Sequence, residues 1–251
     1  MKGHEMKALV LCGGYATRLY PLTKNKPKAL LEVKGKKILD YIVEKIREVQ
    51  EVEEIFIVTN NKFALEFEQW AEEAEGKTPI TVINDATSSE EDRLGAVGDI
   101  LFTVKEEKIH DNLLVIGGDN LFEYSLKGFV EFFKEKNSSV VAVRDVHDKA
   151  AIAGKFGVVE LGESEKLVGF EEKPKEPKTS LAATACYIFK AEDLEELEKY
   201  LKAGNKPDNS GDFVKYLSNK KQMFGFVFQE KWYDIGSFEE LGKAREEFNG
   251  K

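Results

Sequence analysis

Apolar runs and amphipathic stretches alternate through the first half of this chain of 251 residues. Residues 6–11 (MKALVL) form a short run that is apolar apart from one lysine, which predicts a parallel strand covered on both faces. Further strands are predicted at 55–59, 80–83 and 113–117, and helices at 38–49, 63–74 and 97–105. This alternation of strands and helices predicts parallel βαβ units around one sheet.

The second half of the chain has strand-like segments that follow one another more closely. Between about residues 151 and 235, this pattern predicts a small antiparallel region. A last helix is predicted at about 237–249, with Ser237 as its N-cap. No Pro/Gly/Ser-rich linker or internal repeat divides the chain, so we expect a single α/β domain over residues 1–251.

Composition narrows the classes of partner and the cellular location. The formal net charge of −9 disfavours nucleic acid as a partner. No apolar stretch approaches the roughly 20 residues of a membrane span, and no secretory signal precedes Met6, so we expect a cytoplasmic protein that does not bind a membrane. Cys12 and Cys186 form no C-x-x-C pair, which argues against a disulfide scaffold or a zinc site. Abundant Lys and Glu with little Gln indicate a thermophilic source.

The segment 12–30, directly after the first strand, has the features of a phosphate-binding loop. Gly13 and Gly14 allow the backbone to turn and to expose N–H groups at the carboxyl end of the strand, where open α/β sheets bind ligands. Four cations follow: Arg18, Lys24, Lys26 and Lys28. The P-loop pattern and the dinucleotide pattern G-x-G-x-x-G are both absent, and residues 59–61 (TNN) lack the acid that binds a ribose hydroxyl, which argues against NAD binding.

The same segment carries a family resemblance. Residues 13–19 (GGYATRL), 21–23 (PLT) and 27–28 (PK) closely resemble the signature of sugar-1-phosphate nucleotidylyltransferases, or NDP-sugar pyrophosphorylases, and most of all glucose-1-phosphate thymidylyl- and uridylyltransferase catalytic domains. The resemblance extends along nearly the full chain. It implies a Rossmann-like three-layer α/β/α nucleotidyltransferase domain with a mixed, mainly parallel sheet. Ala16 stands where the family has glycine, and because alanine disfavours positive φ, we expect the local backbone to differ from that of the family.

Two further motifs resemble the metal-binding elements of the family. Residues 117–119 (GGD) end a strand, and residues 232–236 (WYDIG) match the family's W-x-D-[IV]-G pattern. The resemblance implies that Asp119 and Asp234 bind Mg²⁺, and a pair of carboxylates suits an ion that also binds phosphate oxygens and water. Two alternatives stay open, since Asp119 could cap the following turn and Asp234 could pair with a lysine.

The remaining site residues are implied by the resemblance alone. Arg18 and Lys28 would be catalytic. Nucleotide-binding residues would be Leu11, Gly13, Gly14, Thr17 and Gly95, and sugar-phosphate-binding residues would be Gly157, Glu172, Lys173 and Tyr187. Ala185 replaces a glycine that is common at the wall of the sugar pocket, which could shift the accepted sugar. Residues 84–94 are predicted to be a polar loop in which no family glutamine can be placed.

The resemblance implies Mg²⁺-dependent transfer of a nucleotidyl group from an NTP, with dTTP or UTP favoured, to a sugar 1-phosphate, with glucose 1-phosphate favoured. It assigns about residues 6–150 to the nucleotide and about 151–235 to the sugar phosphate. Two alternatives remain: a cytidylyltransferase acting on a phosphorylated alcohol such as phosphocholine or an inositol phosphate, and a non-catalytic homologue that binds nucleotide sugar for regulation. No hexapeptide-repeat tail follows the domain, so we expect no acyltransferase activity, and family members make a homo-oligomer plausible.

Overall fold

The computed structural model describes residues 5–250. Its strands are β1 (Met6–Leu11), β2 (Glu32–Val33), β3 (Lys36–Lys37), β4 (Val52–Thr59), β5 (Ile80–Asn84), β6 (Asn112–Gly117), β7 (Asn120–Phe122), β8 (Val140–Asp145), β9 (Val158–Leu161), β10 (Leu167–Glu171), β11 (Leu181–Phe189), β12 (Phe224–Phe228) and β13 (Trp232–Asp234). Its helices are α1 (Ile38–Arg47), α2 (Ala64–Glu73), α3 (Gly95–Glu106), α4 (Leu126–Lys136), α5 (Lys149–Ile152), α6 (Glu195–Lys202), α7 (Ser210–Ser218) and α8 (Phe238–Glu247). None of the helices within these residues combines the length and apolar composition that crossing a membrane requires.

The central sheet is mixed, as predicted. Within residues 5–250 it has nine strands in the order β10-β9-β11-β6-β1-β4-β5, with β8 paired to β11 and β12 paired to β8. The neighbouring strands β6, β1, β4 and β5 run parallel to one another. Parallel strands need a crossover connection, and here a helix lies in each connection between these strands. Strand β11 is antiparallel to β6, β8 and β9, and this region with β10 is the predicted antiparallel part.

Helices cover both faces of the sheet and give the predicted three layers. Alternate residues of β1 face opposite sides: Ala8 and Val10 pack in one core with α1, α2, α4 and α8, whereas Leu9 packs in a second core with α3, α6 and α7. This alternation follows from the period of two in a strand. Every position of β6 is buried, as expected for a central strand.

The predicted elements are present with small differences at their ends. Strand β4 starts at Val52 rather than at residue 55, and α1 ends at Arg47 rather than at residue 49. Helix α8 starts after Ser237, whose hydroxyl accepts a hydrogen bond from the Glu240 N–H at 3.2 Å, so the predicted N-cap is confirmed. Cys12 and Cys186 are both buried and free.

The register of the parallel strands brings the predicted site together. Leu11 lies opposite Val58 on one side and Gly117 on the other, so the carboxyl ends of β1, β4 and β6 form one edge. The loops that leave this edge carry the glycine pair and Asp119. A separate two-stranded sheet pairs β7 with β13, in which Asn120 lies opposite Asp234.

Candidate active site

A cavity of about 890 Å³ opens at the carboxyl ends of the central strands. It is lined by twelve predicted site residues: Leu11, Gly13, Gly14, Arg18, Lys28, Gly95, Asp119, Gly157, Glu172, Lys173, Tyr187 and Asp234. Thr17, the remaining predicted site residue, is exposed and lies outside the lining. Residues that are distant in the sequence therefore line the same cavity.

Only half of the predicted cations reach this cavity. Arg18 and Lys28 line it, whereas Lys24 and Lys26 are exposed and do not. Of the four predicted cations, the structure therefore brings only Arg18 and Lys28 to the cavity wall. Lys24 and Lys26 lie in the turn between the two 3₁₀ segments Thr17–Leu19 and Lys28–Leu30, which hold Arg18 and Lys28.

The loop after β1 is shaped differently from the expectation. Neither Gly13 nor Gly14 has a positive φ, so neither is needed for a left-handed turn. Gly13 is needed for close packing, because a Cβ there would lie 2.7 Å from the Asp99 Oδ2 atom. Ala16, in contrast, takes the left-handed conformation with φ of 49°. Its carbonyl accepts a hydrogen bond from the Thr23 hydroxyl at 2.8 Å, which holds the alanine in a region that it otherwise disfavours.

A chain of hydrogen bonds fixes the Asp119 carboxylate in the wall of the cavity. The Lys28 Nζ atom donates to Asp119 Oδ2 at 2.6 Å, and the Asn120 side-chain amide donates to Asp119 Oδ1 at 2.9 Å. The Trp232 indole N–H donates in turn to Asn120 Oδ1 at 2.6 Å. The carboxylate is thus held by a cation on one oxygen and by a positioned amide on the other.

The second predicted carboxylate meets the first through β-pairing. Asp234 ends β13, which pairs with β7, and the Ile235 N–H donates to the Asp119 carbonyl oxygen at 2.9 Å. Burial, followed by the neighbouring Asp119 carboxylate, raises the pKa of Asp234 to about 7. Burial also acts to raise the pKa of Asp119, but Lys28, together with hydrogen bonds from the backbone and Asn120, outweighs burial and leaves that pKa below its ordinary value.

These two carboxylates fit a divalent cation. They are close enough to raise one pKa through like-charge repulsion, and a cation between them would relieve that repulsion. Among residues 5–250, no cluster of three or more His, Cys, Asp or Glu side chains could hold a metal. Mg²⁺ suits such a pair, because it takes one or two carboxylates and completes its shell with phosphate oxygens and water.

Glu172 is held in a slot that two glycines make. A Cβ at Gly157 would lie 3.2 Å from Glu172 Oε2 and 2.5 Å from the Phe170 ring, and a Cβ at Gly211 would lie 2.4 Å from the same oxygen. Lys173 lies beside Glu172, with Nζ 3.6 Å from Oε1. Burial raises the pKa of Glu172, and Lys173 acts against that rise. The slot presents an acceptor for hydroxyl groups next to a cation.

Several lining residues were not predicted. Ser210 at the start of α7 has its Oγ atom 3.0 Å from the Tyr187 hydroxyl, and Asn209 precedes it in the wall. Phe156 and Trp232 form an edge-to-face pair with centroids 4.9 Å apart in the same wall. The polar run 208–211 (DNSG), between two helical patterns, was a usable signal for this wall.

Near Gly95, backbone hydrogen bonds join the first turn of α3 to residues 207–208. Gly95 has φ of 76°, and the N–H groups of Ala96 and Val97 donate to the carbonyls of Asp208 and Pro207 at 3.2 and 2.8 Å. Two N–H groups in the first turn of α3 therefore already have acceptors within the protein. Asp99, on the next turn of α3, lines the cavity and was not predicted. The feature of the sequence that could have indicated Asp99 is an acidic residue inside the apolar helical run 95–104 (GAVGDILFTV).

Comparison with known proteins places this geometry in a family. The family model described as nucleotidyl transferase matches residues 7–250. The chain belongs to the nucleotidyl transferase family. The assignment made from the sequence motifs is thereby confirmed.

Individual relatives in this family match the chain along most of its length. It is 30% identical over 231 residues to "Bifunctional protein GlmU" of Methanocaldococcus jannaschii, a match that covers 92% of this chain and 51% of the relative. It is 30% identical to the protein of the same name from Methanococcus maripaludis, with 98% and 55% covered. The chain thus spans about half the length of the curated relatives it matches. Its fold matches a UDP-glucose pyrophosphorylase solved with UDP-glucose, with TM-score 0.82, 23% identity and coverage of 96% and 97%.

Proposed function

We propose that this chain transfers a nucleotidyl group from an NTP to a sugar 1-phosphate and releases pyrophosphate. The observation that carries the proposal is the arrangement of Lys28, Asp119 and Asp234 close together in the wall of one cavity. A cation and two carboxylates that converge there suit phosphate groups and a bridging metal ion. The glycine loop after β1 and the Glu172 slot line the same cavity.

Arg18 and Lys28 are the proposed catalytic cations. Both line the cavity. The positive charge of each acts against the rise in the pKa of Asp234, which supports their closeness to the carboxylate pair. In the reaction, an oxygen of the sugar phosphate attacks the α-phosphorus of the NTP, and the bond to the β,γ-pyrophosphate breaks. Negative charge that builds on the transferring group and the leaving pyrophosphate would be stabilised by these two side chains. No covalent enzyme intermediate is required.

Asp119 and Asp234 are the proposed ligands of Mg²⁺. When bound, the ion would supply charge neutralisation for the phosphate oxygens that it contacts. Lys28 holds Asp119 in its ionised form, and Asn120 and Trp232 keep the carboxylate oriented. Leu11, Gly13, Gly14, Thr17 and Gly95 are the proposed nucleotide-binding residues, of which the exposed Thr17 has the least support.

The Glu172 slot is the proposed site for the sugar phosphate. A carboxylate accepts hydrogen bonds from neighbouring hydroxyls, and Lys173 offers a compact counter-charge to phosphate. Tyr187 and Gly157 complete this part of the cavity. The nucleotide would lie against residues 6–150 and the sugar phosphate against residues 151–235. The motif resemblance favours dTTP or UTP with glucose 1-phosphate.

A pyrophosphate-release assay with Mg²⁺ tests the proposal. It crosses dTTP, UTP, CTP, GTP and ATP with glucose, N-acetylglucosamine and mannose 1-phosphates and with phosphocholine. We expect release that requires one NTP and one sugar 1-phosphate together. Release only with CTP and phosphocholine would instead support the cytidylyltransferase. Binding of a nucleotide sugar without release in any combination would support the non-catalytic homologue.

A further inference from the structure

Strand β11 presents two methyl groups to the cavity. Ala183, Ala185 and Tyr187 line the cavity, and both alanines are partly exposed. The neighbouring residues Ala182 and Cys186 belong to apolar clusters on the other face, because successive side chains of a strand point in opposite directions. A bound molecule can therefore contact the methyl groups of Ala183 and Ala185, which together we call the methyl floor.

The Ala185 end of the methyl floor adjoins the proposed metal site. Antiparallel pairing of β11 with β6 brings Ala185 next to Gly117. A Cβ at Gly117 would lie 3.0 Å from Asp119 Oδ1 and 3.1 Å from the methyl carbon of Ala185. The Ala185 methyl and the Asp119 carboxylate therefore lie on either side of one small space.

The Ala183 end of the methyl floor adjoins the Glu172 slot. The Ala183 N–H donates to the Gly157 carbonyl at 2.8 Å, and a Cβ at Gly157 would lie 3.2 Å from Glu172 Oε2. A strand rises by about 3.3 Å per residue, which separates the two alanines of the floor by roughly 7 Å. The methyl floor thus extends from the slot for hydroxyl groups toward the site for phosphate.

This direction fixes which part of a sugar 1-phosphate lies over Ala185. The phosphate must reach Lys28 and the carboxylate pair, where its oxygen attacks the NTP, while sugar hydroxyls reach Glu172. The anomeric carbon C1, which carries the phosphate, then lies at the Ala185 end. Its two ring neighbours are the ring oxygen, which carries no substituent, and C2. The substituent that the Ala185 methyl can restrict is therefore the one on C2.

We propose that the methyl group of Ala185 selects sugar 1-phosphates with a hydroxyl at C2 over those with an acetamido group. The methyl fills space beside C2 that the larger acetamido group requires. Glycine, which is common at this position, leaves that space open. The proposal rests on the proposed function, because it requires that the cavity binds a sugar 1-phosphate.

The test uses glucose 1-phosphate and N-acetylglucosamine 1-phosphate, which differ only at C2. Pyrophosphate release with Mg²⁺ and the preferred NTP gives kcat/KM for each. The wild-type protein should favour glucose 1-phosphate by about tenfold or more, as expected for an extra group in a close-fitting pocket. Ala185→Gly should raise kcat/KM for the acetamido sugar about tenfold and leave the value for glucose 1-phosphate within about twofold.

Ala182→Gly is the matched control. It makes the same change on the same strand, but Ala182 is fully buried on the other face and does not line the cavity. This variant should keep the wild-type ratio of the two kcat/KM values. If Ala185→Gly does not fold, as judged by circular dichroism, Ala185→Val adds bulk to the same place. It should lower kcat/KM for glucose 1-phosphate about tenfold while the KM for the NTP stays near its wild-type value.

Equal use of the two sugars by the wild-type protein would overturn the proposal. So would a wild-type ratio in folded Ala185→Gly, or, where only Ala185→Val folds, unchanged use of glucose 1-phosphate. Failure of the proposed function is distinguishable, because the wild-type protein would then release no pyrophosphate with either sugar. Isothermal titration would in that case compare the binding of the two sugar phosphates, and Ala185→Gly should still remove the difference. Absence of binding by both would overturn the proposal together with the proposed function.

Discussion

Lys28 shows how one side chain can serve both a structural and a chemical role. It lies 2.6 Å from Asp119 Oδ2 and also lines the cavity where phosphates would bind. Its ammonium keeps Asp119 ionised despite burial. A lysine with both contacts can pass from the carboxylate to a phosphate oxygen when a nucleotide binds.

Replacing Lys28 should therefore cost much activity. We expect Lys28→Met to lower kcat/KM by about 100-fold or more, because a key electrostatic group is lost from the transition state. Steady-state pyrophosphate release gives the value. Lys26→Met is the control, since Lys26 lies two residues away, is exposed and does not line the cavity. Similar kinetics for the two variants would contradict the role given to Lys28.

Asp99 should also make stability depend on pH. Burial, followed by the neighbouring Asp85, raises its pKa from an ordinary 3.8 to about 8, so between these values the folded state holds a proton that the unfolded state has released. Stability must then fall as the pH rises toward 8. Between pH 6 and 8 we expect Asp99 to contribute a loss of about 2 kcal/mol, and this contribution is absent in Asp99→Asn. Urea unfolding at pH 6 and pH 8 gives the free energy of unfolding of the wild-type protein and of Asp99→Asn. An equal change between the two pH values in both proteins would refute the prediction.

At the scale of elements, glycines decide where helices and loops can pack. Gly211 is the second residue of α7, and its missing Cβ leaves room for Glu172 and for the Phe170 ring. An alanine in a helix normally adds stability. Here its Cβ would lie 2.4 Å from Glu172 Oε2. The carboxylate is the mobile end of its side chain and has to move.

Gly211→Ala should consequently raise the KM for the sugar phosphate about tenfold, because displacement of Glu172 removes hydrogen bonds to the hydroxyls. The KM for the NTP should stay near its wild-type value. Gly242→Ala in α8 serves as the control, since a Cβ there meets nothing within 4 Å. A sugar-phosphate KM that is the same in both variants would remove Glu172 from the sugar site.

The elements also show what the sequence could and could not predict. Strand β1 was predicted to the residue, because a short run that is apolar apart from Lys7 and is followed by two glycines is too short for a helix and suits a buried strand. The pairing of β7 with β13 was not predicted, because each is only three residues long and their contact is non-local. Asp119 and Asp234 were expected in one site through family resemblance, and the pairing supplies the physical reason. Asp99 was missed because only the fold shows that its face of α3 borders the cavity.

At the scale of the whole molecule, the two halves of the chain share one sheet. Strand β11 of the second half pairs with β6 of the first half and also with β8 and β9. Within residues 5–250, the two large apolar cores contain residues from both halves. A third, small cluster consists of Ile152, Val158 and Ala182 of the second half. Both halves contribute residues to the lining of the cavity.

This interleaving predicts one cooperative unfolding transition. Trp70 in α2 reports on the first half, and Trp232 in β13 reports on the second. In the single-tryptophan variants Trp70→Phe and Trp232→Phe, fluorescence and far-ultraviolet circular dichroism should give coincident urea transitions within each protein. Two separated transitions would show that the halves unfold independently and that the shared sheet does not couple them.

The central claim is nucleotidyl transfer to a sugar 1-phosphate, and phosphorus NMR of the reaction mixture tests it most directly. With Mg²⁺, the preferred NTP and the preferred sugar 1-phosphate, we expect a new pair of diphosphate signals that grows in equal amount with pyrophosphate. Asp119→Asn should form both at least about 100-fold more slowly. Appearance of pyrophosphate with nucleoside monophosphate would show hydrolysis instead of transfer. That result, or an unchanged spectrum from folded wild-type protein, would contradict the account.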